Sequence, residues 1–167
     1  FESSDSADER AMRGGISDLL TGLGDVISAS ILLGELTPRA YDRIVSTGEK
    51  LSIRLLSAAF RIQGVGAVPI DADTCLETDG RFGSASPLTG IAERTLVGVL
   101  GPILEKEKIP IVTGFCGRAP DGATTTLGRG GSDLSATTVG AALGAGSVTL
   151  WSDVDGVYSA DPRMVTD

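Results

Sequence analysis

Residues 124–133 (TTTLGRGGSD) constrain the fold of this chain most, because they form a polar, glycine-rich turn between two apolar segments. Upstream, residues 109–115 are typical of a buried strand, and downstream, residues 132–143 are typical of a helix built from small side chains. A turn that enters a helix in this way presents free backbone N–H groups and the positive end of the helix dipole. This arrangement suits an anion, and Arg129 adds a planar guanidinium that can bind a carboxylate or phosphate with two hydrogen bonds.

Helical and strand-like segments alternate along the whole chain, which predicts one α/β domain with a mainly parallel sheet flanked by helices. Ser17 is a candidate N-cap for a first helix that ends near Leu33, and Thr37-Pro38 is a second helix start. This second helix is predicted to end near Ser46, and further helices are predicted over residues 49–63, 91–108 (bent at Pro102) and 132–143. The predicted strands are residues 65–71, 109–115 and 147–151, with residues 124–127 as half of a hairpin.

Composition excludes several classes of function. The net charge is -8 and no cluster of lysine or arginine stands out, so neither nucleic acid nor an anionic membrane is an expected partner. No uninterrupted apolar run approaches the ~20 residues of a membrane span. The chain has no histidine, which excludes Ser-His and Cys-His catalytic pairs and a histidine-ligated zinc, and no metal site is predicted. Cys75 and Cys116 form no C-x-x-C pair and are expected to be reduced, structural thiols.

The glycine-rich segment has two interpretations. In one, Ser132 is simply the N-cap of the following helix. In the other, Arg129, Gly130 and Gly131 bind an anionic ligand through the guanidinium and the backbone. A carboxylate beside an anion site needs a cation, so Asp133 is expected to pair with Arg129, a lysine or Mg²⁺.

Two other segments are candidate ligand sites. Residues 151–163 follow a predicted strand, so they are expected at the carboxyl edge of the sheet, where open α/β sheets bind ligands. They form either a turn-rich connection or a nucleotide pocket, whose contacts would come from Ser152, Asp153, Tyr158 and Arg163. Residues 46–52 are a polar turn that opens an apolar helix. There Glu49 either stabilises the helix dipole by ~0.3–1 kcal/mol or binds a substrate ammonium group.

Three motifs resemble, in their order and spacing, those of the aspartate kinases of the amino acid kinase superfamily: residues 46–52, residues 112–115 leading into 124–133, and residues 151–163. The run TTLGRGGSD (residues 125–133) carries most of the resemblance, and the run from Asp153 to Arg163 is similar to glutamate 5-kinase as well. The resemblance implies a three-layer sandwich like that of carbamate kinase. It also implies ATP- and Mg²⁺-dependent phosphorylation of the β-carboxylate of L-aspartate to 4-phospho-L-aspartate, the first step toward lysine, threonine and methionine.

Carried over residue by residue, the resemblance implies a role for each matching position. Glu49 would bind the ammonium group of aspartate, and Phe115 would lie near the substrate. The carboxylates of aspartate would be held by Arg129, Gly130, Gly131 and Ser132. Asp133 would organise a catalytic lysine, and ATP would contact Ser152, Asp153, Tyr158 and Arg163.

The sequence departs from the family pattern at its ends. It lacks the family's opening strand and K-F-G-G-T-S phosphate loop, the later lysine and the ACT domains. Residues 1–167 are therefore expected to be a partial catalytic domain that is inactive alone, with residues 1–16 mobile. The parent is expected to be a homo-oligomer of the bacterial cytoplasm or the plastid stroma. The alternatives are a related enzyme such as glutamate 5-kinase, or a non-catalytic kinase fold that senses an amino acid.

Overall fold

The computed structural model describes residues 7–151, which form four α-helices, one short 3₁₀ helix and four strands. The helices are α1 (Ala7–Leu33), α2 (Pro38–Ile62), α3 (Ile91–Leu104) and α4 (Gly131–Ala142), and the 3₁₀ helix covers Ala72–Thr74. The strands are β1 (Ala67–Ile70), β2 (Ile109–Val112), β3 (Cys116–Arg118) and β4 (Thr124–Thr126). The α/β class is thereby confirmed.

Strand pairing follows the predicted layout in part. β1 and β2 are parallel, with Ala67 opposite Ile109 and Ile70 opposite Val112, and α3 connects them. β3 and β4 form the predicted hairpin, in which Cys116 lies opposite Thr126. The strand predicted at residues 147–151 is not formed: within residues 7–151 no partner strand pairs with it. A strand needs a neighbour for its backbone N–H and C=O groups, so its apolar composition is not sufficient.

Helix α2 is one continuous helix, although the sequence predicted two. It begins as expected, with Thr37 Oγ1 accepting a hydrogen bond from the N–H of Ala40 at 3.2 Å and proline in the first turn. A glycine inside a helix costs only about 1 kcal/mol, and Gly48 lies on the exposed side. The opposite face is buried at helical spacing through Asp42, Ser46, Thr47, Ile53 and Ser57, and this packing keeps the helix intact.

The C-terminus of α2 is closed as predicted by Gly64. This residue has a φ of 80°, a left-handed conformation that glycine adopts without steric cost. The N–H of Gly64 donates to the carbonyl of Arg61, and the N–H of Val65 donates to the carbonyl of Phe60, both at 3.0 Å. These two bonds define a Schellman motif, which turns the chain from α2 toward β1.

Helix α1 begins at Ala7, ten residues before the predicted N-cap, so Ser17 lies inside it. The cap prediction is wrong, and residues 7–16 belong to the helix. From Glu9 to Leu33 the helix is long and apolar enough to cross a membrane by length and composition alone, with a mean hydropathy of 1.5 in an 18-residue window. It also carries Asp18 and Asp25 and packs along α2. The absence of a membrane partner stays a prediction.

Helix α3 ends at Leu104, four residues before the predicted end, with Pro102 in its last turn. Its buried face contributes to the hydrophobic core between the β1–β2 sheet, α3 and α4. Leu76, Leu96 and Leu100 are each at most 1% exposed. The remaining buried members of this core are Ala72, Cys75, Ala85, Ala92 and Leu127. Leu127 joins this core directly to the glycine-rich turn that follows β4.

Both cysteine thiols are buried, as predicted for structural residues, and neither forms a disulfide. Burial raises the pKa of Cys75 from 9.0 to about 11 and that of Cys116 to about 12. When folding raises the pKa of a thiol, its contribution to stability is fully present at any pH below the unfolded pKa. That contribution is lost as the pH rises through the folded pKa.

We therefore expect both thiols to resist alkylation in the native protein at about pH 8 and to react once it is unfolded, since the thiolate is the reactive form. Stability should fall between the unfolded pKa of 9.0 and the folded values of about 11 and about 12. Mass spectrometry of the alkylated peptides checks the first expectation, and denaturation across this pH range checks the second. Native alkylation of Cys116 as fast as in denaturant would contradict its burial.

Candidate functional site

The glycine-rich segment forms a tight turn, residues 128–131, hereafter the glycine turn. Gly128 and Gly130 have φ values of 74° and 71°, and the N–H of Gly131 closes the turn by donating to the carbonyl of Gly128 at 3.0 Å. These positive φ angles explain why glycine occupies both positions. Arg129 lies between them, on the outside of the turn, with an exposed side chain. The turn therefore presents a guanidinium to the solvent beside the start of α4.

Helix α4 begins at the glycine turn with Gly130 as its N-cap, and no side-chain hydrogen bond caps it. The interpretation of Ser132 as the N-cap is therefore wrong. Ser132 lies one residue inside the helix and is exposed. The N–H of Gly131 donates to Gly128, but a helix start without a side-chain cap leaves the following N–H groups of its first turn available to a ligand, together with the positive end of the helix dipole.

The segment after β2 packs directly against this helix start. Phe115 has a φ of 66°, which is unusual for a bulky residue, and its N–H donates to Ser135 Oγ at 3.0 Å. Ser135 Oγ donates in turn to the carbonyl of Gly131 at 2.8 Å. A Cβ atom added to Gly131 would lie 2.9 Å from the ring of Phe115. The structure thus places Phe115, Gly131 and the adjacent Ser132 side by side.

Gly114, the residue before Phe115, approaches the same helix start. A Cβ atom on Gly114 would lie 3.1 Å from Ser132 Oγ and 3.3 Å from Ser132 Cα. Only a residue without a side chain fits there unless the serine moves. The close approach holds the end of β2 against the first turn of α4, where the predicted carboxylate-binding residues lie.

Glu49 lies in the interior of α2, so its predicted position in a first helical turn is wrong. Its side chain is half-buried. The negative charge of Glu49 also contributes, after burial, to the raised pKa of Cys116, which follows Phe115 at the start of β3. Glu49 therefore lies close enough to Cys116 for their charges to interact. The dipole interpretation of Glu49 no longer applies, and its binding of an ammonium group stays a prediction.

Asp133 occupies the first turn of α4 and is exposed. Among residues 7–151 its carboxylate forms no ion pair with Arg129 or with a lysine. A carboxylate at this position is favoured by the helix dipole. The other predicted site residues, Ser152, Asp153, Tyr158 and Arg163, lie outside the part of the chain that the structure describes.

Sequence reasoning missed two ion pairs that link α2 to the end of β1. Arg54 donates two parallel hydrogen bonds to Asp71, at 2.8 and 2.9 Å, and this contact raises the pKa of Arg54 further. Lys50 binds Asp73, which also accepts a hydrogen bond from Thr124 Oγ1. The signal was present in the sequence: two cations four residues apart on a helix, and two aspartates at the end of a buried strand.

The sequence matches the family model described as "Amino acid kinase family" over residues 6–167. The chain belongs to the amino acid kinase family. It is 39% identical over 151 residues to "Aspartokinase 3, chloroplastic" of Arabidopsis thaliana, covering 89% of this chain and 27% of that protein. It is 41% identical over 139 residues to "Bifunctional aspartokinase/homoserine dehydrogenase 2" of Escherichia coli (strain K12), covering 83% of this chain and 17% of that protein.

Solved structures agree with this assignment. The amino acid kinase chain superposes with a TM-score of 0.83 on E. coli aspartokinase III in complex with aspartate and ADP, at 37% identity over 92% of this chain. It superposes with a TM-score of 0.82 on the same enzyme in complex with lysine and aspartate, at 36% identity. The chain covers 34% and 35% of those two chains. The resemblance to aspartate kinases and the amino acid kinase fold are thereby confirmed.

Proposed function

We propose that this chain forms the aspartate-binding part of an ATP-dependent aspartate kinase, which converts L-aspartate to 4-phospho-L-aspartate. One observation carries the proposal: the glycine turn, the uncapped start of α4 and Phe115 meet at one place, with Arg129 exposed beside them. The relatives that the chain matches are named aspartokinases, and one of its structural neighbours holds aspartate and ADP.

The charges of the site suit an amino acid with two carboxylates. The guanidinium of Arg129 and the first N–H groups of α4 would bind carboxylate oxygens, and Ser132 would donate a further hydrogen bond. Glu49 would bind the ammonium group from the side of α2. Gly130 and Gly131 would let the backbone approach the ligand closely, because neither has a side chain.

The proposed chemistry also suits a chain without histidine. The nucleophile is a carboxylate with a reference pKa of ~3.9, so it is already ionised near neutral pH and needs no general base. What remains is to align the β-carboxylate with the γ-phosphoryl group and to neutralise charge as the phosphoryl group is transferred. Arg129 and the helix N–H groups would orient the acceptor for this step.

Mg²⁺ would shield the phosphate charges of bound ATP. Within residues 7–151 no group of three or more carboxylate or cysteine side chains forms a metal cage. Such a cage is not required, because Mg²⁺ in kinases usually keeps several waters and binds one or two carboxylates together with phosphate oxygens. Asp133 is an exposed carboxylate beside the site and could serve in this way, or it could orient a lysine from elsewhere in the protein.

An assay of the complete natural protein tests the proposal. With MgATP and L-aspartate we expect an acyl phosphate that hydroxylamine traps as a hydroxamate, with ADP released in equal amount. Trapping with L-glutamate but not with L-aspartate would overturn the substrate assignment and favour a glutamate kinase. Calorimetric binding of aspartate without ADP release would instead favour the sensing module. We also propose that the complete protein works in the bacterial cytoplasm or the plastid stroma, since the matched relatives include bacterial and chloroplastic proteins. A homo-oligomer stays a proposal from the resemblance alone.

A further inference from the structure

The carboxylate of Asp42 is completely buried, with 0% of the residue exposed. Asp42 belongs to α2, and its carboxylate contacts strand β4 and the loop around Gly83. Oδ2 accepts hydrogen bonds from the N–H groups of Gly83 at 2.9 Å and Thr126 at 2.8 Å, and Oδ1 accepts one from Thr126 Oγ1 at 2.9 Å. No lysine or arginine of residues 7–151 forms an ion pair with it.

Such a carboxylate is costly to bury, and three hydrogen bonds offset that cost only while their geometry is kept. The two segments that donate these bonds are therefore held in fixed positions relative to α2. The three hydrogen-bond donors to the Asp42 carboxylate all belong to residues 7–151. The arrangement is therefore built within this part of the chain.

Both donor segments lead to the glycine turn. Thr126 is two residues before Gly128 and three before Arg129. On the other side, a Cβ atom on Gly128 would lie 3.1 Å from the carbonyl oxygen of Gly83, so the loop around Gly83 touches the turn itself. The N–H of Ala85 also donates to the carbonyl of Thr126 at 2.9 Å, which joins the two segments to each other.

We propose that Asp42 is a positioning residue for substrate binding: by fixing Thr126 and Gly83, it sets the place from which Arg129 reaches the substrate carboxylate. Asp42 acts through these neighbours and does not touch the substrate. This inference rests on the proposed function in one respect, since it takes the carboxylate of aspartate as the ligand of Arg129. Bidentate binding depends on geometry, and a displacement of about 1 Å can cost about 100-fold in rate.

Two substitutions separate geometry from charge. In Asp42→Asn, the amide oxygen can take the place of Oδ2 and accept from both backbone N–H groups, while the amide nitrogen donates to Thr126 Oγ1. In Asp42→Ala, both N–H groups lose their acceptor inside the protein.

We expect Asp42→Ala to raise the KM for aspartate at least about 10-fold, with the KM for ATP changed less than about twofold. Asp42→Asn should stay within about threefold of the wild type.

Hydrogen–deuterium exchange on the same complete protein supplies a readout that does not depend on activity. Asp42→Ala should speed exchange in residues 81–85 and 124–131, and Asp42→Asn should not. Ile53→Ala, on the same helix but away from this contact, is the control for general loss of stability. It should speed exchange more widely without shifting the KM for aspartate selectively.

Several outcomes would overturn the inference. One is an unchanged KM for aspartate in Asp42→Ala; another is an exchange pattern identical to that of Ile53→Ala. If Asp42→Ala fails to fold, Thr126→Val removes only the hydroxyl donor, and it should raise the KM for aspartate a few-fold while Thr126→Ser does not. If the wild type phosphorylates no aspartate, the proposed function fails. The exchange data then still decide whether Asp42 holds the turn.

Discussion

Arg129→Ala is expected to lower kcat/KM for L-aspartate by about 100-fold or more in the complete protein, because it would remove both hydrogen bonds of the bidentate contact proposed for Arg129. A hydrogen bond to a charged group contributes about 1.5–3 kcal/mol, and about 3 kcal/mol corresponds to roughly 100-fold. Arg129 is exposed and lies outside the core, so the fold should be unaffected. Steady-state kinetics with aspartate as the varied substrate measure kcat/KM of the variant and of the wild type.

Two further variants make this prediction specific. Arg129→Lys keeps the charge but not the planar pair of donors, so it should recover only part of the loss. Arg39→Ala is a matched control, since Arg39 is another exposed arginine and pairs with Asp121 on the hairpin connection at 2.6 Å. An exposed pair of this kind contributes little, and activity should stay within about twofold. Equal losses in Arg39→Ala and Arg129→Ala would mean that net charge matters and that Arg129 does not clamp the substrate.

Local sequence signals were sufficient to predict the elements around the glycine turn. The strand before it, the hairpin that contains β4 and the helix after it are all formed close to the predicted positions. Glycines at 128 and 130 permit left-handed backbone, and the small residues that follow fit a helix packed close to its neighbours. These are properties of neighbouring residues, which is why a sequence pattern contains them.

Contacts between distant segments could not be predicted in the same way. Asp42 and Thr126 are 84 residues apart, and nothing in the sequence around Asp42 distinguishes it from a solvent-exposed aspartate on a helix. Gly48 shows the same limit: its local propensity favours a break, but the buried face of α2 extends on both sides of it and stabilises one helix. The missing strand at residues 147–151 depends likewise on a pairing partner, which its own composition does not contain.

Gly117→Ala is expected to destabilise the hairpin by about 3 kcal/mol, because the added methyl group has no space. Gly117 lies in the middle of β3. Its Cβ atom would be 2.4 Å from Thr78 Cγ2 and 2.8 Å from the carbonyl oxygen of Leu76. Neither neighbour can move freely. Thr78 Oγ1 is bonded to Thr125 Oγ1 at 2.9 Å, and the carbonyl of Leu76 accepts the N–H of Arg118 at 2.8 Å.

Gly98→Ala is the matched control, and it is expected to change stability in the opposite direction. Gly98 lies on the exposed side of α3, and nothing lies within 4 Å of its added Cβ atom. Alanine there should stabilise α3 by about 0.5–1 kcal/mol, since glycine is the poorer helix former. Amide exchange in β3 and β4 should accelerate about 100-fold in Gly117→Ala and not at all in Gly98→Ala. Unchanged exchange in Gly117→Ala would mean that β3 can move away from Leu76 and Thr78. In that case the hairpin could not hold the glycine turn as rigidly as the proposed binding of aspartate requires.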